Sequence, residues 1–183
     1  RANLSERQFA QEYETDFLGS SGTLISPNKL QQLTFEKPVT TIGPQKDFKV
    51  YAEPKPGHNY VLTVDVSEGV GKDYSVMSIV DVTSAPYQQV VMARSNIMSP
   101  LLLADLVNRT GRAYNEAYVI VESNTYGKQT CDALWNDYEY ENLLMSRGAQ
   151  NDAKLGGARN EKLSAGVKTT KKTKMIGCSS LKG

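Results

Sequence analysis

The sequence predicts an α/β domain built on a mixed sheet, and three observations carry that expectation. Segments 59–67, 74–82 and 87–95 read as β-strands separated by short turns, the first turn rich in glycine and the second containing Ser84-Ala85-Pro86. A helical stretch opening at Ser99-Pro100 then leads into the short apolar run Ala117-Tyr118-Val119-Ile120-Val121-Glu122, which has the length of a strand. A second helical stretch, about 127–138, separates that run from a further short strand near 141–146. Strands joined by tight turns pair antiparallel, whereas one reached through a helix can return parallel.

Taken in order, residues 1–18 place Leu4, Phe9, Tyr13 and Phe17 at helical spacing, which predicts a helix with one apolar side. Residues 19–55 are rich in Gly, Ser, Pro and Thr and read as a linker carrying short extended pieces. Strands 59–67, 74–82 and 87–95 should form an antiparallel meander. In the first helix Ser99 is placed as N-cap and Pro100 at the first helical position, with Leu102, Leu103, Leu106 and Val107 as its apolar positions. Strand 117–122 is apolar enough to be buried on both faces. Cys131, Leu134 and Trp135 are the apolar positions of the second helix, while Tyr126 and Trp135 read as core or rim residues rather than base-stacking platforms. Residues 147–162 turn polar and Gly-rich and read as a mobile loop. A last helix begins near Thr169 and crowds Lys171, Lys172 and Lys174 at its start, where the helix dipole alone does not recruit cations. This order of elements is the ribonuclease H-like one.

Composition narrows the chemistry little. The 183 residues suit one domain with an appendage, and 21 Lys and Arg against 20 Asp and Glu create no global field toward nucleic acid or membrane. Any polyanion site must therefore be a local patch. Two distant cysteines, Cys131 and Cys178, and the single His58 argue against structural zinc. No apolar stretch reaches the roughly 20 residues of a membrane span and no signal peptide is evident, so a soluble, reducing compartment is the default expectation.

The acids are more informative. Asp65 sits within an apolar strand on the same side as Val61 and Thr63, a side that reads as largely dry. A buried unpaired carboxylate costs several kcal/mol, roughly, so it requires a partner, a hydrogen-bond set or a metal. Its structural alternative is to bond the backbone of the glycine turn that follows. Glu122 repeats the pattern at the end of the second apolar run. If strands 59–67 and 117–122 lie parallel and adjacent, the two carboxylates converge, and hard oxygen ligands select Mg²⁺ or Mn²⁺. Such a cluster suits phosphodiester hydrolysis with two metals about 4 Å apart. Asp73, behind the turn Gly69-Val70-Gly71-Lys72, is a third candidate acid, with a solvated turn residue as its alternative. Glu68 is a weaker one. The turn is not a Walker phosphate loop, because Val66 stands where the first glycine must be and Asp73 where Ser or Thr must follow Lys72.

The stretches VDVSEGVGKDYSVMSIVDV (64–82), VIVESNTYG (119–127), GVKTTKKTKMIGCSSLK (166–182) and EYETDFLGSSGTLIS (12–26) together resemble the large terminase subunit of tailed bacteriophages, in particular its T-even-like branch. The resemblance implies the C-terminal tail of an ATPase domain at 1–35, a linker at 36–57 and an incomplete ribonuclease H-like nuclease domain at 58–183. It matches Asp65 to the family's first metal-binding aspartate, Glu122 to its second acid and Asp73 to an additional acid near the metals. The family's third core acid comes from a later helix, so on this resemblance a chain without it binds metal loosely and cuts poorly. The resemblance further implies a Mg²⁺ or Mn²⁺ site, double-stranded DNA as substrate, portal protein and small terminase subunit as partners, and the cytoplasm of the infected host as location. ATP would serve only the motor domain. Lys72, Lys168, Lys171, Lys172 and Lys174 would hold backbone phosphates, or else form a solvated lysine face.

Two rival readings remain at this level. A resolvase or integrase-type nuclease would use the same acids without needing residues 1–35, and a non-catalytic interaction fragment would use the 1–18 helix to dock on a motor domain. An actin-like or sugar-kinase phosphate fold predicts a second copy of the Asp-turn motif, which the sequence lacks.

Overall fold

Alternation of apolar and polar residues through 60–95 produces the centre of a six-stranded sheet. In the computed structural model, which describes residues 36–43, 47–147 and 163–182, the strands are β1 (Thr40–Ile42), β2 (Phe48–Val50), β3 (Tyr60–Asp65), β4 (Ser75–Asp81), β5 (Gln88–Ser95) and β6 (Tyr118–Val121). Their spatial order is β1-β2-β5-β4-β3-β6. β3, β4 and β5 form the expected antiparallel meander. β6, delivered by the helix α1 (Pro100–Ala113), lies parallel to β3, with Val64 beside Val121.

The segment expected as linker, 36–57, contributes β1 and β2, which extend the sheet antiparallel from β5. β2 brings Phe48 and Val50 onto the core. Beyond β6, a parallel bridge joins Val119 to Leu143, and β7 (Met145–Arg147) pairs with β8 (Leu163–Ala165). The expected helix at 1–18 and the expected loop at 147–162, apart from Arg147, lie outside the described residues. The chain divides into two units, Lys37–Thr170 and Arg1–Glu36 with Lys171–Gly183. The last helix, α3 (Lys171–Lys182), belongs to the second of these.

Helices cover one face of the sheet. Tyr60, Leu62 and Val64 of β3, Met77 and Ile79 of β4, and Val119 and Val121 of β6 point into a core closed by α1, by α2 (Gly127–Asp132) and by the π-helical turn Ala133–Asp137. Ser99 caps α1 as expected, its side chain accepting from the Leu102 amide at 3.4 Å. Of the expected apolar positions of α1, Leu103 and Val107 are buried and Leu106 packs against the core, whereas Leu102 is 63% exposed; Ala104, Thr110 and Gly111 complete the buried stripe. Gly111 is required by Tyr140, whose ring fills the space a Cβ would take and whose hydroxyl donates to the Ala117 carbonyl at 2.8 Å. Cys131 and Leu134 are buried as expected, and Trp135 lies at the rim. Burial pushes the Cys131 thiol up to about 11, which keeps it neutral and unreactive.

The open face carries Val61, Thr63 and Asp65 of β3 beside Val76, Ser78 and Val80 of β4. This corrects the expectation of a dry side for Asp65: Thr63 and Asp65 are exposed, and the fully buried side of β3 is the other one. A carboxylate is affordable there because water or an ion can reach it.

At the opposite end of β3 a second acid is used structurally. Asp81 Oδ2 lies 2.7 Å from His58 Nδ1, while Asp81 Oδ1 accepts from the Thr83 amide at 3.0 Å and its hydroxyl at 2.6 Å. Thr83, then His58, hold the Asp81 carboxyl down at about 2 from a usual value of 3.8. A carboxyl depressed on folding stabilises the native state above its unfolded pKa, and that increment is lost as the pH falls from about 4 toward 2. Asp81→Asn should therefore flatten the decline in unfolding free energy between pH 4 and pH 2, measured by urea denaturation across that range. A decline as steep as in the unaltered chain would show that other carboxylates carry it.

Candidate metal centre

Parallel pairing of β3 and β6 builds the site. Val64 and Val121 are register partners and the Glu122 amide donates to the Val64 carbonyl at 2.9 Å, so the next residues along the two strands, Asp65 and Glu122, are neighbours on the open face. Adjacent strands lie only about 4.8 Å apart. The Asp65 carboxyl is accordingly raised above 3.8, first by partial burial, then by the charge of Glu122 and a hydrogen bond with it, against a lowering bond from the Val66 amide. Two carboxyl groups so close favour either a shared proton or a cation.

Loops after each strand complete a cleft of about 510 Å³ at this end of the sheet. Its walls include Glu68, Lys72 and Asp73 from the turn after β3, and Asn124 and Tyr126 from the turn after β6. The first turn is pinned from below. The Ser67 amide donates to Ser75 Oγ at 2.9 Å, the Gly71 amide donates to the Asn96 carbonyl at 2.7 Å, and Gly69, at φ +80°, leaves the space that a Cβ would otherwise contest with the Met98 carbonyl. The nearby Glu68 carboxylate, first as a hydrogen-bond acceptor, together with burial, raises the Tyr126 phenol above 10.

The second turn is held by Gly127, the first residue of α2. Its amide donates to the Asn124 carbonyl at 2.9 Å, and a Cβ there would overlap the carbonyl oxygen of Glu122. Below the acid, Val167 runs parallel to Glu122: the Val167 amide donates to the Val121 carbonyl at 2.8 Å and the Ser123 amide donates to the Val167 carbonyl at 2.9 Å. Asn124 Nδ2 donates to Glu122 Oε1 at 2.7 Å and to the Thr169 carbonyl at 3.3 Å.

The sequence-predicted residues thus sort by place. Asp65 and Glu122 are brought together, and Asp73 and Lys72 line the same cleft. No group of three or more His, Cys, Asp or Glu gathers in metal-binding geometry among the described residues, so Asp73 does not complete a triad. Lys168 follows Val167 at the edge of the sheet and is exposed, and Lys171, Lys172 and Lys174 are exposed on α3 in the other unit. Sequence reasoning missed Asn124 and Gly127. Their signal was the spacing: an amide two residues and a glycine five residues after a strand-terminal acid, at the opening of a helix.

A mixed sheet whose antiparallel meander is followed by a parallel strand, with one acid at the end of each of two adjacent strands, defines a ribonuclease H-like domain. The family described as terminase RNaseH-like domain matches residues 62–182, and the chain belongs to that family. Among solved structures, the large terminase nuclease from thermophilic phage G20c with bound magnesium is similar over 90% of this chain and 70% of its own, at 18% identity and a TM-score of 0.63. The same phage's nuclease with bound zinc aligns over 56% of this chain and 54% of its own, at 21% identity and a TM-score of 0.45. The nuclease domain from Thermus phage P74-26 aligns over 62% and 75%, at 18% identity and a TM-score of 0.40. The first of these likenesses bears on the fold. No helix among the described residues is long and apolar enough to cross a membrane.

Gly127→Ala should force the turn away from Glu122, because the obstacle is backbone rather than a flexible side chain. The expected loss is about 1–3 kcal/mol in urea denaturation, with a changed amide signal for Glu122. Gly177→Ala, within α3 where a Cβ meets nothing within 4 Å, is the control and should cost nothing, with any change a gain of up to about 1 kcal/mol from helix propensity.

Proposed function

We propose that this chain is the nuclease part of a bacteriophage terminase, cleaving double-stranded concatemeric DNA during genome packaging by divalent-metal-assisted phosphodiester hydrolysis. The observation that carries the reading is the pair Asp65 and Glu122, set side by side at the ends of parallel strands and opening onto a cleft. The donor set fits Mg²⁺ or Mn²⁺: carboxylate oxygens, with no histidine or cysteine lining the cleft. The family membership and the magnesium carried by the similar G20c nuclease support the same assignment.

On this reading Asp65 and Glu122 would hold the metal, with Asp73 a further acid of the same cleft near it. A divalent ion bound there would polarise a phosphate oxygen and lower the pKa of a bound water. Lys72 and Lys168 would meet backbone phosphates near the acids, and Lys171, Lys172 and Lys174 would supply a further cationic row, so contacts would be to backbone rather than to bases. If the further acid that the resemblance implies is needed to complete the site, this chain would hold metal loosely and cut slowly. The motifs support the T-even-like branch, with residues 1–35 as the tail of an ATPase domain, 36–57 as the connection and 58–183 as nuclease. Portal protein and small terminase subunit would be partners of the whole assembly in the host cytoplasm, and ATP a ligand of its motor.

The test is nicking of supercoiled plasmid in Mn²⁺ or Mg²⁺, by this chain and by a longer version carrying the further acid that the resemblance implies. Asp65→Ala and Glu122→Gln should each reduce nicking at least about a hundredfold, since loss of a bound ion removes several kcal/mol of transition-state stabilisation. Undiminished nicking in both variants would remove these acids from the chemistry. Absence of cleavage by the longer version in either metal would overturn the nuclease reading.

A further inference from the structure

We infer that Asn124 is a positioning residue of the proposed metal centre: its amide orients the Glu122 carboxylate and ties it to the backbone at Thr169. This rests on the metal reading of Asp65 and Glu122 above. The geometry is specific. One side-chain nitrogen lies 2.7 Å from Glu122 Oε1 and 3.3 Å from the Thr169 carbonyl. An ionised carboxylate and a peptide carbonyl are both pure acceptors, so only the nitrogen end of the amide can face them, and its two hydrogens match two acceptors. Serine or threonine would offer one hydrogen, and aspartate none.

The consequence is an acid with few free orientations. Glu122 is already fixed at its backbone, between the Val64 carbonyl on one side and the Val167 segment on the other. Asn124 adds a hold on its side chain. With Oε1 held by the amide, Oε2 is left as the freer oxygen of a carboxylate that neighbours Asp65. The same amide anchors the chain at Thr169, one residue beyond Lys168. Partners of this kind, one bond removed from a metal, typically change affinity ten- to a hundredfold when removed.

The probe is Mn²⁺ alone, titrated against the full 183-residue chain with free ion read by electron paramagnetic resonance, beside the thermal midpoint of each protein. Asn124→Leu keeps the approximate shape without donors, and Asn124→Ala removes the side chain should Leu fold poorly. The expected result is a ten- to hundredfold weaker Mn²⁺ affinity in the folded variants, with thermal midpoints close to that of the unaltered chain in the absence of metal. Unchanged affinity in both variants would overturn the positioning role alone, leaving the acids as ligands. If the unaltered chain binds no Mn²⁺ at millimolar concentration, the metal reading falls and this inference falls with it.

Discussion

The parallel pairing of β3 with β6 is the constraint from which the rest of the structure follows. Had β6 paired antiparallel, its C-terminal end would lie beside the start of β3 and Glu122 would stand a strand length from Asp65. Parallel pairing demands a crossover, and α1 supplies it, packed against the sheet through Leu103, Ala104 and Val107. The crossover in turn assigns the faces. Helices occupy one side, so the even-numbered residues of β3 are buried and its odd-numbered ones, ending in Asp65, remain open. Stability and chemistry are thereby placed on opposite sides of one sheet.

Those two sides are connected through backbone and short side chains at the strand ends. Gly127 sits so close to the Glu122 carbonyl that no larger residue fits, and Ser67 and Ser75 link the first turn to the start of β4. Such contacts transmit position with little slack because peptide groups have few soft degrees of freedom. A long acidic side chain on a strand end would otherwise sample several rotamers. The turn after β6 removes much of that freedom, through Asn124 at the carboxylate and Val167 along the backbone.

Much of this was legible in the residues, and the failures have physical causes. The meander, the Ser99 cap and the return of β6 could be read because period, turn residues and cap chemistry agreed over long segments. β1 and β2 could not be assigned, since strands of three residues in a Pro-rich stretch carry too little periodicity to separate from linker. The face of Asp65 was misread because Val61 and the run as a whole are apolar, although Thr63 already marked the wetter side. On α1, the buried stripe includes alanine, threonine and glycine, small residues chosen for close approach to Tyr140 and α2, which a count of leucines does not find. The acids themselves were found from type and position alone. Their amide partner was not, because a side chain whose role is to hold another leaves a mark only in the geometry.

The charge balance of the cleft gives the proposed chemistry an order. Among the described residues Asp65, Glu68, Asp73 and Glu122 line it against the cation Lys72, so by themselves these walls repel a polyanion. Lys168 is not among its walls. On the proposed reading a divalent ion therefore does more than supply chemistry, because each one adds two positive charges where the phosphate must come. Partial burial first, then the charge of Glu122, raise the Asp65 carboxyl above its usual range, and the second of these is the field that would draw such an ion in. Metal binding would precede productive DNA binding.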